Sequence, residues 1–149
     1  MILDVPDIRQ ASDYDCGSAC VDMVAAFFGR RTRGPAALAN RVQGMSPDTV
    51  EAVLRALGFV VLSGTMTAAD LRHLCDTGRP VLCPIEARGG HWVVVRGVAR
   101  RKVLFNCPAD GPGALPEADW AAGWHDVSRT GQRFDRWGIG VGYSSAASS

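Results

Sequence analysis

Asp13-Tyr14-Asp15-Cys16-Gly17-Ser18-Ala19-Cys20 is the segment of this chain best suited to nucleophilic chemistry. Cys16 falls where a loop passes into a helix, and there unpaired N–H groups and the helix dipole favour a thiolate, the form of cysteine that attacks carbonyls. Gly17 leaves room for a substrate backbone beside the sulfur. Cys20 lies one turn deeper on the apolar stripe and reads as a core thiol. By local pattern alone Cys16 is equally well a small buried hydrophobe. A thiolate needs a base, and the chain has three histidines, His73, His91 and His125. His73 sits inside a helical pattern between Arg72 and Leu74 and reads as solvated, while His125 follows Trp124 in a segment without clear periodicity. His91 opens a strand directly after Gly89-Gly90, held by rigid backbone at an open edge. Cys16 at a helix start and His91 at a strand start would make a thiol–imidazole pair of the papain type.

Around these residues the pattern specifies helices first and strands later. Ala19, Cys20, Met23, Val24, Phe27 and Phe28 recur at three and four, one face of a helix that Gly29 ends. A short helix is predicted from Pro35 to about Val42. Ser46 and Pro47 open another, which buries Val50, Val53, Leu54 and Leu57 and stops at Gly58. Phe59–Leu62 reads as a strand, and Thr67 caps a helix carrying Leu71, Leu74 and Cys75 that closes at Gly78. The β-branched runs 80–85, 91–95 and 103–105 then read as strands, with turns at Gly89-Gly90 and Arg100-Arg101-Lys102 and a last strand at 137–141. This order is that of an α+β fold. Gly111-Pro112-Gly113 reads as a turn, lacking the lysine and helix opening of a phosphate loop. Trp120 and Trp124, four apart on a helix, are expected to pack inward. Cys16, Cys20, His73 and Cys75 do not have standard zinc spacing, so no metal and no cofactor is expected.

The chain is 149 residues with a net charge of +1 and 47% hydrophobic residues, enough for one domain that buries roughly 70% of its unfolded surface. Near-neutral charge argues against nucleic acid, which needs clustered lysine and arginine. No stretch approaches the roughly 20 apolar residues that span a bilayer, and the acids near Met1 do not suit a signal peptide. Five cysteines, four of them in apolar runs, suggest a reducing compartment and a cytoplasmic protein. The tail 144–149, rich in serine and alanine, is expected to fray, which leaves 1–143 as the domain.

Gln10, six residues ahead of Cys16, then Asp15-Cys16-Gly17-Ser18-Ala19-Cys20 and Met23, resembles the opening of the C39 peptidases, the papain-like domains that process bacteriocin leader peptides. Gly78-Arg79-Pro80-Val81, His91-Trp92-Val93-Val94-Val95 and the Pro108 segment are similar to the second half of that domain, so the likeness runs from about Val5 to Pro108. It implies a papain-like fold, with a helical half packed on an antiparallel sheet, and a cysteine peptidase acting on a peptide or protein. By the resemblance Cys16 is the nucleophile, His91 the general base, and Gln10 an oxyanion donor together with the Cys16 N–H. Such a donor contributes roughly 3 kcal/mol to the transition state. Cleavage after a double glycine is implied, although better-known members are fused to a transporter and this chain has no such segment. The family usually carries an aspartate just before proline at the end of the strand after the histidine. Here Asn106-Cys107-Pro108 stands there. Asn106 is the preferred orienting residue, since papain uses an asparagine, with Cys107 and Asp110 as the other candidates. Strand alternation sends Asn106 and Cys107 to opposite faces. The same constellation would also serve a protein glutamine deamidase, and without catalysis it would serve a peptide-binding module.

Overall fold

The computed structural model describes residues 1–11, 16–30, 46–87, 90–127 and 131–143. The helix expected at Pro35–Val42, the tail 144–149, Asp13–Asp15 and Gly89 lie outside them.

Helix α1 (Cys16–Phe27) is buried on most sides, because all its residues but Asp22 are small or apolar: Ala19, Cys20, Val21, Met23, Val24 and Ala25 are all in the core. It ends near Gly29, whose φ of +73° suits glycine. The Ser46 hydroxyl accepts from the Thr49 N–H at 3.3 Å and starts α2 (Pro47–Ala56), with Pro47 in the first turn. Strand β1 (Val60–Thr65) follows. Thr67 and Asp70 form a reciprocal capping box that opens α3 (Ala68–Asp76).

The remaining elements are β2 (Val81–Ile85), β3 (His91–Ala99), β4 (Lys102–Cys107), β5 (Gly111–Pro116), α4 (Glu117–Gly123), β6 (His125–Val127), β7 (Arg133–Asp135) and β8 (Trp137–Gly142). Six strands form an antiparallel sheet in the order β1-β8-β2-β3-β4-β5, and β6 pairs with β7. β8, last in the chain, enters between β1 and β2 and closes the sheet around the buried Val81, Leu82, Ile139 and Val141. Helices α1 and α3 pack on β3 at the middle. The architecture is α+β, and no helix among the described residues is long and apolar enough to cross a membrane.

One local feature differs from expectation and another, a turn where one was expected, has an unusual backbone. Gly111-Pro112-Gly113 is not a turn but the start of β5, and as the sheet's edge this strand tolerates a proline. Gly113 lies beneath the Phe105 ring, where a Cβ would come within 3.1 Å. The β3–β4 turn is the second. Arg100 and Arg101 both take positive φ, +53° and +61°, the backbone of a tight hairpin that Asn-Gly usually supplies. Trp120 and Trp124 pack inward as expected, with ring centroids 5.5 Å apart and the Phe105 ring tilted against Trp120 at 5.6 Å.

The core contains cysteines. All five are thiols, none in a disulfide. Burial drives Cys20 and Cys83 well above the ordinary thiol range and Cys75 to about 12. The folded chain therefore keeps protons that the unfolded chain releases above about pH 9. Its stability should fall by about 1.4 kcal/mol per pH unit for each of these thiols, or about 4 kcal/mol per unit for the three. A domain of ordinary stability, about 5–15 kcal/mol, should therefore be markedly less stable at pH 11 than at pH 7. Urea unfolding in reducing buffer from pH 7 to 11 measures this, and a flat profile above pH 9 would contradict it.

Candidate active site

Cys16 is the first residue of α1 and His91 the first of β3, and packing of the helix on that strand brings the Cys16 sulfur to the peptide that follows His91. The Cys16 sulfur lies in reach of the Trp92 backbone N–H, the amide of the peptide that joins His91 to Trp92, as well as the N–H groups of Gly17 and of Cys16 itself. These donors favour a thiolate. Burial opposes them and is the larger effect, so the thiol is held above its ordinary value, not below it. The lowered thiol expected from a helix start is thus not its resting state. Only 6% of Cys16 and 4% of His91 is exposed, and water that would solvate a thiolate is largely excluded.

The His91 Nε2 contacts the Cys107 sulfur at 3.2 Å. Cys107 in turn lies 3.7 Å from Asp110 Oδ2. Asn106 does not take part. Its amide donates to the Val5 carbonyl at 2.8 Å and to Pro6 at 3.4 Å. Register explains the choice. Val94 pairs with Asn106, so these two share one face of the sheet, whereas His91, three residues from Val94, is on the other. Cys107, one residue beyond Asn106, returns to the face of His91. The residue preferred from sequence as the orienting group therefore fastens the N-terminal segment instead. Asn106→Ala should cost about 1–3 kcal/mol of stability by leaving a buried carbonyl unmet. Asn106→Asp, setting a carboxylate against two carbonyl oxygens, should cost more. Urea denaturation of the two variants checks that order.

The segment that Asn106 holds carries Gln10. The Gln10 backbone N–H donates to the Pro108 carbonyl at 2.9 Å, and Leu3 donates to Arg96 at 2.7 Å. Gln10 is thereby fixed beside the end of β4, next to Cys107, with its side-chain oxygen buried. Between β3, β4 and β5 a cavity of about 290 Å³ is lined mostly by apolar groups, Ile85, Val93 and Phe105 among them, with His91, Cys107 and Asp110 contributing its polar wall.

Two charged groups near the site, Asp126 and Arg9, escaped the sequence reading. Asp126 lies against Gly90, where a Cβ would stand 3.0 Å from its Oδ1. Burial raises its carboxyl above the usual range, and its charge would push the Cys16 thiol further up. His125 pairs with Glu86 at 2.5 Å and so belongs to a separate contact. Arg9, bonded to Asp7, is raised further by Asp110 and Cys107. The last of these was discoverable only from the N-terminal segment's path, and β6 has too short a pattern to read. His73 is exposed on α3 and Cys20 is fully buried, both as expected.

A helix that begins with cysteine, packed on an antiparallel sheet strand that begins with histidine, is the layout of the papain-like peptidase fold. The chain belongs to the Peptidase C39 family, which matches residues 4–130 and so extends past Pro108, where the likeness in sequence was expected to end. Solved structures agree. A double glycine motif protease from an AMS/PCAT transporter, in complex with the leader peptide, superposes with a TM-score of 0.75 at 17% identity over 96% of this chain and 94% of that one. The peptidase domain of Streptococcus ComA, a bi-functional ABC transporter involved in quorum sensing, gives 0.71 at 19% over 93% and 98%. A C39-like peptidase from Bacillus anthracis gives 0.68 at 17% over 96% and 98%. No curated protein matches the chain.

Proposed function

We propose that this chain is a cysteine peptidase that cleaves a peptide bond by thiol acyl transfer, with residues 1–143 as its single domain. The observation that carries the reading is the Cys16 sulfur set against the peptide between His91 and Trp92, at the start of a buried helix. With Nε2 against Cys107, the Cys16 proton passes to Nδ1 of His91. The thiolate then attacks the substrate carbonyl, and the S–C bond forms as the carbonyl electrons move to oxygen. The side-chain amide of Gln10 and the Cys16 N–H hold that oxyanion. Collapse breaks the C–N bond, and the leaving amine takes the proton from His91. A water molecule, deprotonated by the same ring, hydrolyses the thioester and restores the thiol.

Burial of Cys16 makes proton transfer and attack a coupled event, since an isolated thiolate would be poorly solvated there. The apolar cavity that His91 and Cys107 line takes an apolar side chain of the substrate. The structural neighbour seen with a leader peptide supports a peptide substrate, and cleavage after a double glycine is the bond choice it suggests. Five cysteines without a disulfide suit a reducing, cytoplasmic setting. Incubation with leader peptides that end in Gly-Gly, followed by mass spectrometry, tests the reading. Two fragments summing to substrate plus water are expected. A gain of about one dalton on a glutamine of an intact chain would replace peptidase by deamidase, since both reactions share the acyl step. Tight binding with no mass change would make the domain a non-catalytic peptide binder.

A further inference from the structure

The structure places a thiol where the family's layout has a carboxylate, and gives that thiol two partners. We propose that Cys107 is a positioning residue whose sulfur links the Asp110 carboxylate to the His91 imidazole and thereby selects the ring tautomer able to accept the Cys16 proton. The proposal rests on the peptidase reading for its catalytic consequence, but its structural content is independent of it.

Cys107 is 7% exposed, with its sulfur 3.2 Å from His91 Nε2 and 3.7 Å from Asp110 Oδ2. A thiol has one hydrogen to give, and an ionised carboxylate can only accept. Placed between the two, the S–H turns to Asp110, and the sulfur's lone pair is left to accept from the ring. Nε2 must then carry the hydrogen, and Nδ1 of the neutral ring keeps its lone pair for Cys16. Without Asp110 the S–H would turn to Nε2, hydrogen would sit on Nδ1, and the ring would meet Cys16 as a donor. Asp110 thus acts on His91 through the sulfur. Arg9, from the N-terminal segment, also feels Asp110 and Cys107 and marks their shared position on that rim.

Nitrogen-15 NMR of the imidazole, at a pH where the ring is neutral, reads the tautomer whether or not the protein hydrolyses anything. The His91 signals are assigned by their loss in His91→Ala. Wild type should show the Nε2–H form. Asp110→Ala and Cys107→Ala should each shift the ring toward Nδ1–H or a mixture, and Cys107→Ser should keep the wild-type form because a hydroxyl can fill the same two roles. The double variant Cys107→Asp with Asp110→Ala should restore Nε2–H, since a carboxylate then accepts from the ring directly. In peptide cleavage, Asp110→Ala should lower kcat at least about tenfold with KM within about twofold, and should add no further loss in the Cys107→Ala background. An unchanged tautomer in Asp110→Ala, or an equal effect of that change with and without the sulfur, would overturn the linkage. Absence of cleavage by wild type, with the tautomer responding as described, would instead overturn the peptidase reading alone.

Discussion

Replacing Cys16 with alanine should abolish peptide cleavage, lowering kcat by at least about 10⁴-fold, the scale seen when a covalent nucleophile is removed. The fold should survive. The side chain is small, and it lies at the start of α1 and not in its middle. Binding should survive too, because the cavity lined by Ile85, Val93 and Phe105 is untouched. The informative measurement is therefore paired: single-turnover cleavage by mass spectrometry, and peptide affinity by calorimetry, on the same Cys16→Ala protein. Loss of cleavage with affinity kept assigns Cys16 to chemistry. Cleavage retained within tenfold would mean that another group attacks the carbonyl and that the site is elsewhere.

The second large effect belongs to His91→Ala, which should lower kcat/KM by about 10²- to 10⁴-fold, the range for loss of a general base. Its signature is a change in the shape of the pH profile. Burial raises the Cys16 thiol, so without a proton acceptor the thiolate fraction at pH 7 is smaller than that of a free thiol. It grows about tenfold with each pH unit until the raised thiol value is reached. The variant's residual activity should therefore rise about tenfold per pH unit across the alkaline range in which the chain stays folded. Wild type should lack this steep alkaline rise, because the ring takes the thiol proton directly. Iodoacetamide labelling of Cys16, followed residue by residue, should show the same contrast without substrate. Equal labelling rates in the two proteins from pH 6 to 9 would remove His91 from the role of base.

Much of this arrangement was legible in local sequence, because its signals were local. A cysteine before Gly17 at the head of an apolar stripe, and a histidine between Gly90 and a run of valines, announce a helix start and a strand start without reference to the rest of the chain. Capping residues Ser46 and Thr67 did the same for α2 and α3. Assigning the partner of His91 required more. Asn106 and Cys107 are adjacent, and only the β3–β4 register, shifted between Val95 and Gly97, decides which faces the imidazole. A bulge of that kind leaves little trace in composition, although Gly97, which the N-terminal residues Met1 and Ile2 press against, is its one visible mark. β5 was misread for a related reason. Gly-Pro-Gly has the composition of a turn, and its strand conformation is imposed by pairing with β4 and by the Phe105 ring over Gly113, both of which are tertiary. The thiol's raised proton affinity was also beyond the sequence, since it depends on how completely α1 is covered.

The tether between Asn106 and Val5 joins positions about one hundred residues apart, and the Gln10–Pro108 bond repeats the span. The first eleven residues belong to no helix or strand and are held to the sheet by a few hydrogen bonds, whereas α1 and the sheet share a buried core. The sheet and α1 can therefore consolidate on refolding while Gln10 is still unplaced, giving a protein with native secondary structure and the proposed oxyanion pocket unfinished. Recovery of catalytic competence would then lag recovery of ellipticity, with docking of the first ten residues as the step that separates them.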